Sequence, residues 1–443
     1  MRDSVDVAHH KNVEEACAHF HNDIGDWIDH CLELYGQEPP SDVHDQATYT
    51  TSWKSHLLQY QHQGALEFLA KLRDDISGHF HESGQWRHGY WKRAEAHHGT
   101  EHTELFLGSL IGVLPDDRNT EQAITHVAEH VGNWCPDVPE WFNWKSGMFR
   151  SLWQGTEHLP DLDGVAINVP DHLRLINISL LAYEATAECR YLSLAKDAVG
   201  PWVRALLSSE ELPVAISESG PVYQLDGRED GEYRAFAGEA PPLVSDVDRA
   251  ENFLASNGIW TFLKVWEHSQ EAEVLQSAIK LLDVISGQLE DPDAGAASAV
   301  IRQYRSLVND SRYDAAVRDA CLSLPASPVT TLSIHTTLPN ERRPSGIGKR
   351  SDMPRYFEDG TPRIRSPILL AFAAEINDDE TMATQAVDLA RSYFNLSRRV
   401  FPDGRSHGCA AQSVSAVARG HGRDNNAGMI TAVLDPIQKH FHV

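Results

Sequence analysis

No run of about 18 apolar residues occurs in the chain, so the sequence offers no membrane-spanning helix. Residues 1–11 contain neither an apolar stretch nor a small-residue cleavage site, which argues against a secretory signal and points to a cytoplasmic protein. Cysteine is sparse. The six residues Cys17, Cys31, Cys135, Cys189, Cys321 and Cys409 never form a C-x-x-C pair, and reduced, buried thiols are expected. Basic charge is also short: 38 Lys and Arg face 64 Asp and Glu, a net charge of −26 that argues against a nucleic-acid partner. Strand signals are few, confined to residues 214–216 and 329–336, and no repeat of fixed period is found.

What is present is helix. Among 443 residues, 41% hydrophobic and 23% charged, apolar side chains recur every three or four positions over residues 13–34, 49–72, 120–131, 171–194, 250–266, 271–285, 296–321, 366–374 and 380–400. Shorter helices are expected at 145–153, 201–207, 410–418 and 426–440. Short turns alternate with long loops rich in Trp, Tyr, His and Arg. This succession of helical hairpins predicts an all-α protein, an α/α toroid forming one domain over residues 1–443, with a loop or lid at about 324–362. A cluster of arginines from 342 to 365, with more from 391 to 423, makes the C-terminal part locally basic and suited to focusing an anionic small substrate.

Residues 86–112 gather the densest chemistry. A loop holding Trp86, Tyr90, Trp91, His97 and His98 leads into a helix expected to be capped by Thr100, with Glu101 and His102 in its first turn and Leu105, Phe106, Leu107, Leu110 and Ile111 entering the core. Gly-Thr-Glu-His recurs at 155–158. His98-x-x-Glu101-His102 and His126-x-x-Glu129-His130 both fit H-x-x-E-H, whose histidines share a helix face at zinc-binding spacing. No cofactor is otherwise implied; the zinc reading would use His98, Glu101 and His102.

His97-His98-Gly99-Thr100 followed by Leu-Phe-Leu-Gly-Ser-Leu resembles the Asn-His-Gly-Thr helix start of the alginate-lyase-like and heparinase-like polysaccharide lyases, which are α/α toroids. The resemblance implies that His98 contacts a uronate carboxylate, with His97 in the place of the family's Asn. It also implies a catalytic tyrosine some fifty residues on, where this chain has Arg150 and His158 instead. The base is then His158 or a tyrosine from another loop: Tyr223, Tyr233 or Tyr356.

β-Elimination from a uronate requires cations or donors on the carboxylate, a base for the C5 proton and an acid for the leaving oxygen. His97, His98 and Arg150 suit the first task, His158 or Tyr233 the others. Trp86, Tyr90, Trp91, Trp141 and Trp144 offer faces for sugar rings. Glu101, His102, Arg355, Tyr356, His407, His421 and Arg423 offer polar contacts to an anionic saccharide. A toroidal glycoside hydrolase is the alternative enzyme and needs two carboxylates roughly 5 to 9.5 Å apart, the candidates being Glu101, Glu157, Asp226 and Asp248. A non-catalytic helical binding scaffold is the third reading.

Overall fold

The computed structural model describes residues 2–44, 46–159, 167–224, 245–289, 295–324, 331–335, 366–400 and 430–443. The helices are α1 (Val13–Tyr35), a 3-10 turn (Thr48–Trp53) running into α2 (Lys54–Gln59), α3 (Gln63–Glu82), α4 (Ala96–Glu101), a π turn (His102–Leu107) running into α5 (Gly108–Val113), and α6 (Arg118–Val131). Next come α7 (His172–Thr186), α8 (Cys189–Leu207), α9 (Asp246–Ala255), α10 (Gly258–Ser269), α11 (Ala272–Ser286), α12 (Gly295–Val308) and α13 (Asp314–Ser323). The chain closes with α14 (Pro367–Asn377), α15 (Glu380–Val400), a 3-10 turn (Thr431–Val433) and α16 (Leu434–Phe441).

Two kinds of helix alternate. In α7 every residue from His172 to Ala182 is buried, and in α14 every residue from Pro367 to Ala374. Such helices have protein on all sides and belong to an inner layer. By contrast α1, α6, α8 and α11 bury one face only.

The inner segments pack in sequence: α2 on α5, α4 and the π turn on α7, α7 on α10, α10 on α12, α12 on α14, and α14 on α16. The last 3-10 turn returns to α2 and completes the ring. Outside it, α1 meets α15, where Arg391 forks onto Asp23 at 2.6 and 3.2 Å and Arg398 donates to the Asp23 carbonyl at 2.8 Å. The protein is therefore an all-α α/α toroid whose first and last long helices are neighbours.

The connections explain where a site belongs. Segments leading from an inner helix to the next outer one are brief: 60–62, 114–117, 187–188, 270–271, 309–313 and 378–379. Segments leading inward are longer: 36–47, 83–95, 132–171, 208–245, 287–294, 324–366 and 401–430. The inward segments all meet the ring at the N-terminal ends of inner elements. That rim collects unpaired backbone N–H groups and positive helix-dipole ends, although the whole chain is acidic.

Strands are short. After β1 (Arg2–Asp6), the hairpin β2–β3 (Trp86–Arg87 and Tyr90–Trp91) pairs Trp86 with Trp91, the hairpin β4–β5 (Phe142–Asn143 and Met148–Phe149) pairs Phe142 with Phe149, and β6 (Ile167–Asn168) joins the hairpin β7–β8 (Ala215–Ser217 and Gly220–Val222). Residues Arg2–Asp6 run antiparallel to Thr331–His335, within the run expected to be a strand.

Several expectations change. The helix expected at 145–153 is instead the β4–β5 hairpin: Asn143 receives the N–H of Ser146 and Gly147 in a turn, and Gly147 takes φ +74°, outside the helical region. The helix expected at 49–72 is broken at 60–62, where Tyr60 is extended and His62 caps α3 by accepting from the Ala65 N–H at 3.1 Å. Likewise 171–194 divides at Ala187, and 296–321 divides after Asn309, both left-handed. Among the described cysteines, Cys17, Cys31 and Cys321 are buried thiols outside any disulfide, with Cys17 pushed up to about 12, mainly by burial. No helix among the described residues is long and apolar enough to cross a membrane.

Candidate functional site

The inner helix of residues 96–113 begins one turn earlier than expected. Glu95, not Thr100, caps it: its carboxylate accepts the His98 N–H at 2.8 Å while Glu95 itself is extended. Thr100 lies inside the helix with its hydroxyl on the Ala96 carbonyl at 2.7 Å. The π turn at 102–107 then shifts the helical register between the polar first half and the apolar second half.

Two imidazole–carboxylate pairs face each other here. His98 Nδ1 contacts Glu95, and His44, from the segment after α1, has Nε2 2.7 Å from Glu101 Oε2. The two rings lie 4.6 Å apart, centroid to centroid. Glu101 is buried at 2% exposure, whereas about half of the His98 side chain remains open to solvent. Packing around His98 pulls its pKa down, but the Glu95 hydrogen bond and the charges of Glu101 and Glu95 outweigh this and the opposing His44, leaving it above the ordinary histidine value. The arrangement therefore favours the protonated form of His98.

Behind these pairs runs a buried polar network. Arg174 of α7, fully buried, donates through Nε to the Thr100 hydroxyl at 2.8 Å and lies 3.1 Å from Glu104. Glu104 accepts from Asn177 and Asn257, each at 2.8 Å, and Thr261 donates to the Asn177 amide oxygen at 2.6 Å. Three inner segments, residues 96–113, α7 and α10 with its preceding Asn257, are thus tied together.

Removing one member of the buried pair leaves an uncompensated charge. Arg174→Met is expected to cost about 3 to 5 kcal/mol in urea unfolding, and adding Glu104→Gln should restore a substantial part. Independent, additive losses would show that the pair is not coupled.

Tyr90 and His172 complete the surroundings. Tyr90 is buried with its hydroxyl lacking a hydrogen-bond partner, and burial, ahead of the Glu95 charge, raises its pKa well above the usual tyrosine range. Gly99 makes this possible, since a Cβ there would stand 2.2 Å from Tyr90 Oη and 2.9 Å from Ala94 Cβ. His172 Nδ1 lies 3.0 Å from the Val169 N–H nitrogen and 3.2 Å from the Val169 carbonyl, Nε2 reaches the Ser151 carbonyl at 2.9 Å, and burial lowers its pKa.

Of the residues expected at the site, His98, Glu101 and Tyr90 come together. His97 lies within α4. His102 does not join them. The helix carries it inward, where it is 4% exposed between Trp86 and Phe106, with ring centroids at 5.0 and 5.4 Å, and burial lowers its pKa to about 3. The zinc grouping of His98, Glu101 and His102 is accordingly replaced by His44, His98 and Glu101, whose donor atoms lie within 4.8 Å of one another.

His158 and Arg150 are exposed, and Arg150 pairs with Glu140 at 3.0 Å. Trp91 packs on Phe80 and Trp86, while Trp144 stands 42% exposed with its indole N–H toward the Gly132 carbonyl. Trp86 and Trp141 are buried in the core. The second Gly-Thr-Glu-His lies against the approach to the first, with the Thr156 N–H on the Trp91 carbonyl at 3.1 Å. Tyr233, Arg355, Tyr356, His407, His421, Arg423 and most of the 324–362 lid lie outside the described residues, as does Asp226.

Of the carboxylates considered for hydrolysis, Glu157 pairs with Lys92 at 3.1 Å, Asp248 caps α9 in a box with Ser245, and Glu101 holds His44. His44, Glu95, Glu104, Arg174, Asn177 and Asn257 were not expected. The available signal was the polar pair Arg174 and Asn177 within an apolar-rich stretch that is buried on every side.

No protein-family profile and no curated protein matches this chain. Solved structures do resemble it in the course of the chain. A structural-genomics protein of Listeria innocua matches at 12% identity over 87% of this chain and 99% of its own, with a TM-score of 0.40. A D-mannose isomerase matches at 11% identity over 83% and 97%, with a TM-score of 0.42. An alpha-1,2-mannosidase from Trichoderma reesei matches at 10% identity over 84% and 93%, with a TM-score of 0.32.

Proposed function

We propose that this protein is a saccharide-converting enzyme that moves a proton on and off carbon, with His98 and His44 as its acid and base and β-elimination from a uronate-containing glycan as its reaction. The observation that carries the reading is the facing of two imidazole–carboxylate pairs, 4.6 Å apart between rings, at the rim where the inner helix N-termini gather. One imidazole in its neutral form takes the proton next to the substrate carboxylate; the other, protonated, delivers one to the leaving oxygen. Protonated His98 also offers a positive charge to a developing enolate, as do the helix N-termini.

Isomerisation by proton transfer between neighbouring carbons is the second reading, favoured by one feature. Arg174, the buried guanidinium of this region, is held by Thr100 and Glu104 rather than turned toward a uronate. A carbonyl sugar needs no such cation. Hydrolysis fits less well, because Glu95, Glu101 and Glu104 each engage a histidine or arginine.

The test is turnover in D2O on uronate oligosaccharides and on simple aldoses and ketoses, followed by mass, proton NMR and ultraviolet absorbance. Elimination yields an absorbing unsaturated uronate; isomerisation yields product of nearly unchanged mass with deuterium at carbon. New reducing ends with neither signal would overturn both.

A further inference from the structure

We propose that His88, Cys135 and Asp137 form a second, separate site, one for a soft divalent cation such as zinc, pinning the β2–β3 turn to the segment after α6. The three donor atoms lie within 4.8 Å of one another. His88 Nε2 is 3.1 Å from one Asp137 oxygen and Cys135 Sγ is 3.2 Å from the other. Zinc bonds of about 2.0 to 2.3 Å in tetrahedral array set their donors roughly 3.3 to 3.8 Å apart, so small side-chain rotations suffice. The set of thiolate, imidazole and carboxylate matches zinc rather than magnesium or calcium.

The backbone aims the donors. His88 and Gly89 form the two-residue turn between β2 and β3, with φ of 51° and 79°, as a tight hairpin of this kind requires. That left-handed conformation carries the imidazole across to the 132–141 segment. Arg87 leaves the same hairpin and reaches Asp137 at 2.6 Å, so a positive charge already sits where the cation would.

Asp137 is the hub of the cluster, contacted by His88, Cys135 and Arg87. A dication would replace Arg87 on Asp137 and form a bond to sulfur, the thiol proton passing to solvent. A water can take the fourth position. The half-open setting, with His88 at 42% and Asp137 at 43% exposure, leaves a path for the ion.

The test uses the full chain, stripped of metal, kept reduced with a phosphine and titrated with zinc against a coloured chelator, then separately with cobalt. Expected is a zinc equivalent that Cys135→Ser weakens by about 100-fold or more, beyond the loss typical of residues that only support a ligand. Asp137→Asn should weaken it less. The cobalt form should show sulfur-to-metal charge-transfer absorption that vanishes in Cys135→Ser and persists in Cys189→Ser, the control for an exposed thiol. Zinc held equally well by Cys135→Ser, no zinc held at micromolar concentration, or a cobalt spectrum without the sulfur band would each overturn the proposal. Binding at His44, His98 and Glu101 lacks sulfur and is told apart by that band.

Discussion

Acidification from pH 7 to pH 4.5 is expected to unfold this protein, because it keeps several histidines neutral inside its core. Burial is the largest cause in each case, lowering His102 to about 3 and both His130 and His56 to about 4. His130 is wholly buried beside Trp141 and Tyr90, with Nε2 on the Arg87 carbonyl at 3.3 Å. His21 and His172 are lowered in the same way.

The sign follows from proton counting. Below about 6.5 the unfolded chain protonates these rings and the folded chain does not, so the unfolded state binds more protons. Stability is full above that value and falls as pH drops toward 4. Each ring contributes about 1.4 kcal/mol per pH unit, so three together remove roughly 4 kcal/mol per unit between pH 6 and 4.5. Against a total stability of about 5 to 15 kcal/mol that is decisive.

Raised groups act oppositely. His98 loses its favourable contribution as pH rises through its folded value, and Asp435, raised chiefly by desolvation of its carboxylate, favours the fold at low pH. Urea midpoints measured across this range should fall steeply, and His102→Phe, filling the space between Trp86 and Phe106, should flatten the slope. A midpoint unchanged from pH 7 to 5 would contradict the argument.

His98→Ala is expected to lower kcat/KM on the true substrate by about 10²- to 10⁴-fold, the usual contribution of a positioned acid or base. The fold should survive, since the side chain is about half exposed and its carboxylate partner Glu95 keeps its role as helix cap. Glu95→Gln separates positioning from structure. It retains an acceptor for the cap but removes the charge that helps raise the His98 pKa, so the pH profile should shift to lower pH for that limb. Unchanged turnover in His98→Ala, or an identical profile in Glu95→Gln, would remove these residues from the proposed chemistry.

The ring was legible because amphipathic periodicity survives in a helix that packs on one side. Residues 380–400 were delimited as α15 is found, and residues 13–34 nearly match α1. Breaks were harder to see because several helices stop at left-handed residues other than glycine: Ala187, Gln270, Asn309 and Asp378. Apolar spacing runs on across such stops. Ala187 in particular carries none of the side-chain chemistry that usually marks a helix end.

The site was half legible. His98 and Glu101 stand in one motif, but His44 reaches them from more than fifty residues upstream, through a segment with no periodicity of its own. His102 was misdirected. The H-x-x-E-H spacing put it on one helix face with His98, next to Glu101, while the packed ring buries it among aromatic side chains. Arg174 lay hidden in a helix whose apolar composition announces burial but not the partner that makes a buried guanidinium tolerable.

The π turn at 102–107 carries one residue beyond what a regular helix would need to span the same rise. Each helical residue subtends about 100°. Excising that surplus would swing the imidazole and carboxylates of the first half by nearly a third of a revolution relative to Leu110 and Val113, which anchor the second half. The catalytic proposal therefore depends on an insertion that a length-conserving reading of the helix would treat as noise.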